Sequence, residues 1–267
     1  MPSCCFAFYT ASPFPTFKRY GTTHILALLL ILFAIISIIV FKKRITHKAD
    51  KIIRIIATIP AIAAEISHNM WNYINKDNFV GNLFSLDLCH ISTFLSLFLN
   101  LSSLFQNHKI HKKVFPLLYF WSMGAIAAFL FPSLEYGPEK IRFYHFFYAH
   151  AYIILTAIYC LFVDNYKITF KSYLSAIGIL TVIAFIVGVI DAISGQNYMF
   201  LMPALYSRYT TVKTPLNSLG EGHIYYVNLF LLGTACEFIM FFPHMLKNNV
   251  KKTKIFKTHY KQNSKSS

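Results

Sequence analysis

Residues 80–105 read VGNLFSLDLCHISTFLSLFLNLSSLF, and this stretch decides the fold. It is long enough to cross a hydrocarbon core of about 30 Å, which takes about 20 apolar residues on a helix. Ser85, Cys89, Ser92, Thr93 and Ser96 recur at spacings of three and four, so they share one helical face. A helix surrounded by lipid has no use for a stripe of hydroxyls and a thiol. The stripe is therefore expected to face the inside of a bundle, and Cys89 is the residue on it to explain.

Working outward, six more stretches resemble it in length and apolarity. Spans are expected at 23–41, 52–74, 83–105, 113–132, 143–163, 172–194 and 224–244. Composition agrees: 56% of the 267 residues are hydrophobic and only 13% are charged, against about 25% charged in soluble domains. The expected fold is all-α, a seven-span transmembrane bundle over residues 1–245 with a long outer loop at 195–223. A basic tail follows at 246–267.

The net charge of +15 would point to nucleic acid in a soluble protein. Its distribution points to topology instead. With seven spans, 18 of the 25 Lys and Arg residues fall on the side of the first loop and the tail, and seven on the other. The positive-inside rule then places the amino terminus outside and the tail in the cytoplasm, in a multi-pass plasma-membrane protein. The tail, KNNVKKTKIFKTHYKQNSKSS, suits anionic lipid of the inner leaflet; no nucleic-acid partner is expected. Lys42-Lys43-Arg44 follows the first span, the reverse of a signal peptide, so that span is read as retained. The five cysteines, Cys4, Cys5, Cys89, Cys160 and Cys236, show no metal-ligand spacing, and no metal or other cofactor is expected.

The intramembrane polar groups are expected to gather toward the outer leaflet. His24 opens span 1. Glu65, His68 and Asn69 lie in the outer half of span 2, His145 and His150 in the first two turns of span 5. Asp191 closes span 6, and His223 and Tyr225 open span 7. The inner halves are read as holding little besides Leu, Ile, Val, Ala and Phe. Ionisable groups in spans face a bundle interior or a wet cavity, so a shared depth implies one outward-opening cavity. Cys89 lies about 9 Å below the outer end of its span and His150 about 10 Å below its own, a depth compatible with a Cys–His pair. Glu65, with His68 and Asn69 at i+3 and i+4, reads as a hydrogen-bond hub. The outer loop contains Asn197 and Tyr198 within SGQNYMFLMPALY, too apolar for a solvated linker. It reads as a capping or re-entrant segment over the cavity.

Five strings then carry a resemblance: THILALLL (23–30), LFSLDLCHIS (83–92), FPSLEYGPEKIRFYHFFYAHAYIIL (131–155), SGQNYMFL (194–201) and TPLNSLGEGHIYY (214–226). With these the chain resembles the YwaF-like bacterial integral membrane proteins. Their eukaryotic relatives, the transmembrane protein 164-like family, are described as phospholipid acyltransferases. The resemblance implies a membrane phospholipid substrate, with the family cysteine on Cys89, its span-5 histidine on His150 and its first-span histidine on His24. The chain departs from the family at Ser85 and Asp87, where Pro and His are usual, and at Gly220–Tyr225, where the family has a Pro/Trp-rich run. Asp87 is expected to point away from Cys89, about 200° around the helix.

Three functions compete at this point. The first is a lipid acyltransferase or hydrolase using Cys89 and His150, with His24, Glu65, Asn69, His145, Asp191, Asn197 and Tyr198 in support. The second is a small-molecule transporter, opposed by the lack of a polar through-path and of an internal repeat. The third is a non-catalytic scaffold or receptor. Reactivity of the Cys89 thiol separates the first from the rest.

Overall fold

The computed structural model describes residues 7–11, 16–75, 85–104, 108–201 and 215–263. Among them there is no strand, and seven long helices carry the fold. They are α1 (Thr22–Phe41), α2 (His47–Ile74), α3 (Leu88–Leu104), α4 (His108–Leu130), α5 (Ile141–Phe162), α6 (Phe170–Ser194) and α7 (Gly222–Asn263). Five of these stretches are long and apolar enough to cross a membrane: Thr22–Arg44, Ile110–Leu130, Ile141–Phe162, Phe170–Ser194 and Gly222–Lys247. Helix α3 is apolar but has 17 described residues, and α2 is long but strongly amphipathic.

Local chemistry sets the helix ends. Thr46 accepts the Ala49 N–H at 3.3 Å to start α2. Thr169 and Ser172 form a reciprocal capping box at the start of α6, and Gly195, with φ of 72°, ends it in the left-handed region. Helix α7 continues without a break from the apolar stretch into the basic tail, past Pro243 to Asn263.

Consecutive helices run antiparallel, so the start of α1 shares one end of the bundle with the ends of α2, α4 and α6. We call this the upper end. Helix α5 is the hub, packing on α1, α2, α3 and α4, while α4 carries the bundle across to α6 and α7. The core is aromatic where these helices meet: Phe115, Phe120, Leu118 and Ile153 are fully buried. Helix α1 turns Leu29, Leu30 and Phe33 outward, and α6 does so with Phe185 and Ile193, as helices in lipid do.

The amino-terminal segment ahead of α1 straps the upper end. Thr16 and Phe17 donate their N–H groups to Glu135 O at 2.9 and 3.0 Å, and Tyr20 donates its hydroxyl to Leu130 O. Asn75 donates to Tyr9 O and accepts from Ala11 N, and Lys140 donates to Ala7 O. Thr16 also donates to the Glu139 carboxylate. Burial alone pushes the Glu139 carboxyl up. The hydrogen bonds from Thr16 and from backbone N–H groups outweigh that and hold it below its ordinary value.

The lower end departs from the expectation that polar groups gather at one end of the bundle, with little besides Leu, Ile, Val, Ala and Phe at the other. Arg54, counted from sequence as part of a loop, lies two turns inside α2 and is 2% exposed. It donates to Asp50 Oδ1 at 3.0 Å, Asp164 Oδ1 at 2.6 Å and Asn100 Oδ1 at 3.2 Å, and stacks over Tyr159 at 4.8 Å. Asn100 in turn donates to the hydroxyls of Tyr152 and Thr156, and Thr58 meets Tyr152 at 3.1 Å. A cavity of about 150 Å³ lies beside this network, between α1, α2, α3 and α5. The physical reason is neutralisation: two carboxylates and an amide oxygen replace the water that a buried guanidinium loses.

Candidate functional site

At the upper end, helical spacing puts Glu65, His68, Asn69 and Asn72 on one face of α2, since they recur at i, i+3, i+4 and i+7. That face meets α3 and α5. Glu65 Oε2 lies 3.6 Å from His90 Nε2 on α3, and Glu65 Oε1 lies 3.8 Å from His145 Nε2 on α5. His150, one turn and a half beyond His145, is also within electrostatic reach of Glu65. The ring of His68 stacks on His145, with centroids 4.4 Å apart, and lies 5.4 Å from that of His90. One carboxylate and four histidines from three helices therefore converge at one depth.

Two further residues lock this cluster. Arg142 Nη1 donates to His68 Nδ1 at 3.1 Å. A guanidinium has only donors, so His68 Nδ1 accepts; Asn72 Nδ2 lies 3.1 Å from His68 Nε2, and turning that amide brings its Oδ1, otherwise buried without a partner, to accept from Nε2–H. His150 Nδ1 lies 2.7 Å from Phe146 O, a carbonyl that only accepts. His150 is therefore protonated on Nδ1, and its Nε2 carries the lone pair. Asn69 donates to its own helix at Glu65 O, and its Oδ1 is buried without a hydrogen-bond partner. Among the described residues no group of three or more His, Cys, Asp or Glu side chains has the arrangement of a metal centre.

Cys89 is partly buried, one residue before His90 on α3. Its Sγ packs toward α4, about where a Cβ on Gly124 would touch it at 4.0 Å. Among the described residues no hydrogen bond joins Cys89 to a histidine; His150 reaches the cluster through Glu65, His90 and His145. Two residues earlier, the Asp87 carboxylate accepts from Ser85 Oγ at 2.6 Å and from Met199 N at 3.1 Å. Asp87 thus holds the segment that follows α6.

That segment is the Asn197–Leu201 string. Asp191, fully buried near the end of α6, accepts the Tyr198 N–H at 3.0 Å, and Tyr225 on α7 donates to Phe200 O at 2.5 Å. Met199 and Phe200 both adopt φ of 55°. For side-chain-bearing residues this region costs on the order of 1 kcal/mol each and persists only where surrounding contacts enforce it. Asp87, Asp191 and Tyr225 are those contacts. Asn197 opens the turn and Tyr198 is buried in it. The part of the outer loop at 202–214, expected from sequence to cap the site, lies outside the described residues.

His24 lies apart from both groups. It is fully buried against Phe17 and Phe147, with Nε2 2.8 Å from Phe129 O and Nδ1 accepting the Tyr20 N–H at 2.9 Å. One ring nitrogen fastens α1 to α4 and the other holds the residue ahead of α1. The sequence-named residues thus occupy three places: His24 at the α1–α4 contact, Glu65, Asn69, His145 and His150 around the histidine cluster, and Asp191, Asn197 and Tyr198 at the strained turn. Cys89 stands on α3 between the last two. Sequence reading missed His90, Arg142, Asp87 as an anchor, and Glu237. For Glu237 the signal was plain: a lone carboxylate within an apolar run.

The fold and the distribution of its polar groups define a multi-pass α-helical membrane protein whose buried ionisable residues cluster between helices. Residues 19–241 match the TMEM164 family, and the chain belongs to that family. No curated protein matches the chain, and no solved structure does.

Proposed function

We propose that this protein is a membrane-embedded acyltransferase or hydrolase of phospholipid esters, with Cys89 as nucleophile and His150 as its base. The observation that carries the reading is the convergence of Glu65, His68, His90, His145 and His150 at one depth beside the helix that bears Cys89. Such groups are costly in a membrane, and their assembly across three helices marks a functional centre.

In this reading the Cys89 thiol gives its proton to His150 Nε2, and the sulfur attacks the ester carbonyl carbon. The ester C–O bond breaks, and the departing lysolipid oxygen takes the proton back from His150. The thioester is resolved by a second lysolipid hydroxyl, or by water, with the proton transfers reversed. Glu65, between His90 and His145, sets a carboxylate within reach of the imidazoles of the cluster. The thiol–imidazole contact forms when substrate is bound, since catalytic hydrogen bonds are often long without it. The strained turn at Met199 and Phe200, held by Asp87 two residues from the thiol, forms part of the substrate's surroundings.

The same proposal includes seven spans with the upper end outside, in the plasma membrane. Helices α2 and α3 complete the set by packing on α5, and the basic end of α7 meets anionic lipid of the inner leaflet. The test uses the purified full chain in phospholipid vesicles with added lysophospholipid. Acyl exchange and labelling by an acyl-like electrophile are expected in the wild type and in Cys236→Ala, and lost in Cys89→Ala and His150→Ala. Full activity in Cys89→Ala would sink the nucleophile assignment and leave a non-catalytic scaffold as the better reading.

A further inference from the structure

Glu237 lies within the stretch of α7 that is apolar and long enough to cross a membrane. It is 4% exposed. Neither carboxyl oxygen has a hydrogen-bond partner, and no ion pair includes Glu237, among the described residues. It is far along the bundle from the histidine cluster, since α7 packs on α4 and α6 and the cluster belongs to α2, α3 and α5.

The titratable groups around it do not neutralise it. On α6 its electrostatic neighbour is Tyr173, whose ring stacks on Phe241 of α7 at 5.1 Å. On α4, Tyr119 hydrogen bonds to Met240 O and meets His244 Nε2 at 2.9 Å. His244 is thereby engaged, and it stands two turns further along α7, about 10 Å from Glu237 along the axis. Cys236 is adjacent in the chain and neutral. An isolated carboxylate in a dry, apolar interior costs far more than taking up a proton from neutral water.

We propose that Glu237 is an intramembrane proton-binding site, holding its proton in the resting protein as a neutral carboxylic acid. Its ligand is the proton itself, and its reactivity is that of a neutral acid buried within a membrane bundle toward a hydrophobic carbodiimide. In that reaction the carboxyl oxygen bonds to the central carbodiimide carbon while the acid proton moves to a carbodiimide nitrogen. The O-acylisourea formed rearranges by an oxygen-to-nitrogen acyl shift to a stable N-acylurea, with no atom lost. A carboxylate lacks the proton this addition needs. Glu65, flanked by His90 and His145 and set in a polar cluster, is therefore the internal contrast.

The experiment treats the full chain in lipid vesicles at neutral pH with dicyclohexylcarbodiimide and maps adducts by peptide mass spectrometry. The adduct is expected on Glu237, absent in Glu237→Gln, weaker as pH is raised, and unaffected by added sodium. Infrared difference spectra of wild type minus Glu237→Gln are expected to show a protonated-carboxyl C=O band, a readout independent of reagent access. Glu237→Gln exchanges one neutral group for another of the same shape, so its unfolding by sodium dodecyl sulfate is expected to match the wild type. Absence of the infrared band would overturn the proposal. Protection from labelling by sodium would overturn it in favour of a cation site.

Discussion

Replacing Arg54 by methionine isolates the contribution of the lower-end network. The side chain is 2% exposed and makes three donor contacts, to Asp50, Asp164 and Asn100. Met fills much of its volume, so the loss is electrostatic rather than a cavity. Breaking a buried ion pair by removing one partner costs about 3–5 kcal/mol, because the remaining charge stays buried and unpaired. Here the remaining carboxylates are 24% and 17% exposed, which lets water relieve part of that cost. The Asn100 side-chain oxygen loses its donor as well, at about 1–3 kcal/mol for a buried acceptor. The expected destabilisation of Arg54→Met is therefore about 4 kcal/mol. Arg54→Lys should cost about half as much, since one ammonium cannot serve three acceptors lying in different directions. The paired change Arg54→Met with Asp164→Asn should recover part of the loss, because it removes one stranded charge. Unfolding by sodium dodecyl sulfate from mixed micelles, followed by helical circular dichroism, measures all four proteins. Arg54→Met within 1 kcal/mol of the wild type would refute the view that this network holds α2, α3 and the α5–α6 connection together.

Further outcomes follow from other parts of the molecule. Reporter fusions after α7 and in the 195–223 loop are expected on opposite faces of the membrane, and same-side reporters would contradict the seven-span topology. His24→Leu removes the partners of the Tyr20 N–H and the Phe129 carbonyl, and is expected to cost about 1–3 kcal/mol while leaving Cys89 labelling unchanged; lost labelling would move His24 into the site. Glu139 has its folded pKa lowered below the ordinary value of 4.5. Its contribution to holding the amino-terminal strap is thus complete above that value and is lost as pH falls through the folded value. Amide exchange at Thr16 and Phe17 should accelerate in that acid window, and should be fast at neutral pH in Glu139→Gln with Thr16→Val. Asp87→Ala is expected to free the Met199 N–H and raise amide exchange across residues 198–201, whereas Asp87→Asn, which keeps an acceptor, should raise it less.

How much of this was legible beforehand follows from the range of the interactions. Helix α1 was expected at 23–41 and found at Thr22–Phe41, and α6 was expected at 172–194 and found at Phe170–Ser194. Both are apolar runs with polar ends, so their limits are local facts. The i, i+3, i+4 spacing of Glu65, His68 and Asn69 was equally local. What faces them was not: His90 and His145 reach Glu65 from other helices, and no spacing in the chain encodes that. Arg54 misled for the same reason. Near the start of a helix it resembles one more loop charge, and Asp164, its strongest partner, is 110 residues away. Only Asp50, four residues earlier, hinted at a buried pair. The strap was illegible because its hydrogen bonds join irregular segments and helix ends, which have no periodicity. Glu237 was visible and passed over, since a single carboxylate fits no motif.

The strap also sets an order of assembly during synthesis. Its longest-range bonds join residues separated by more than a hundred positions: Thr16 to Glu139 across 123, and Lys140 to Ala7 across 133. At 5–20 residues per second, translation needs roughly 6–27 s to make the partners of a segment already exposed. Until the start of α5 has been made and placed, the strap has only the ends of α2 and α4 to bind, through Asn75 and Leu130, and α1 stands in the membrane with its upper fastening incomplete. Docking of the strap is therefore a late event that records the arrival of α5, and a chain arrested before residue 140 would leave its amino-terminal segment open to protease.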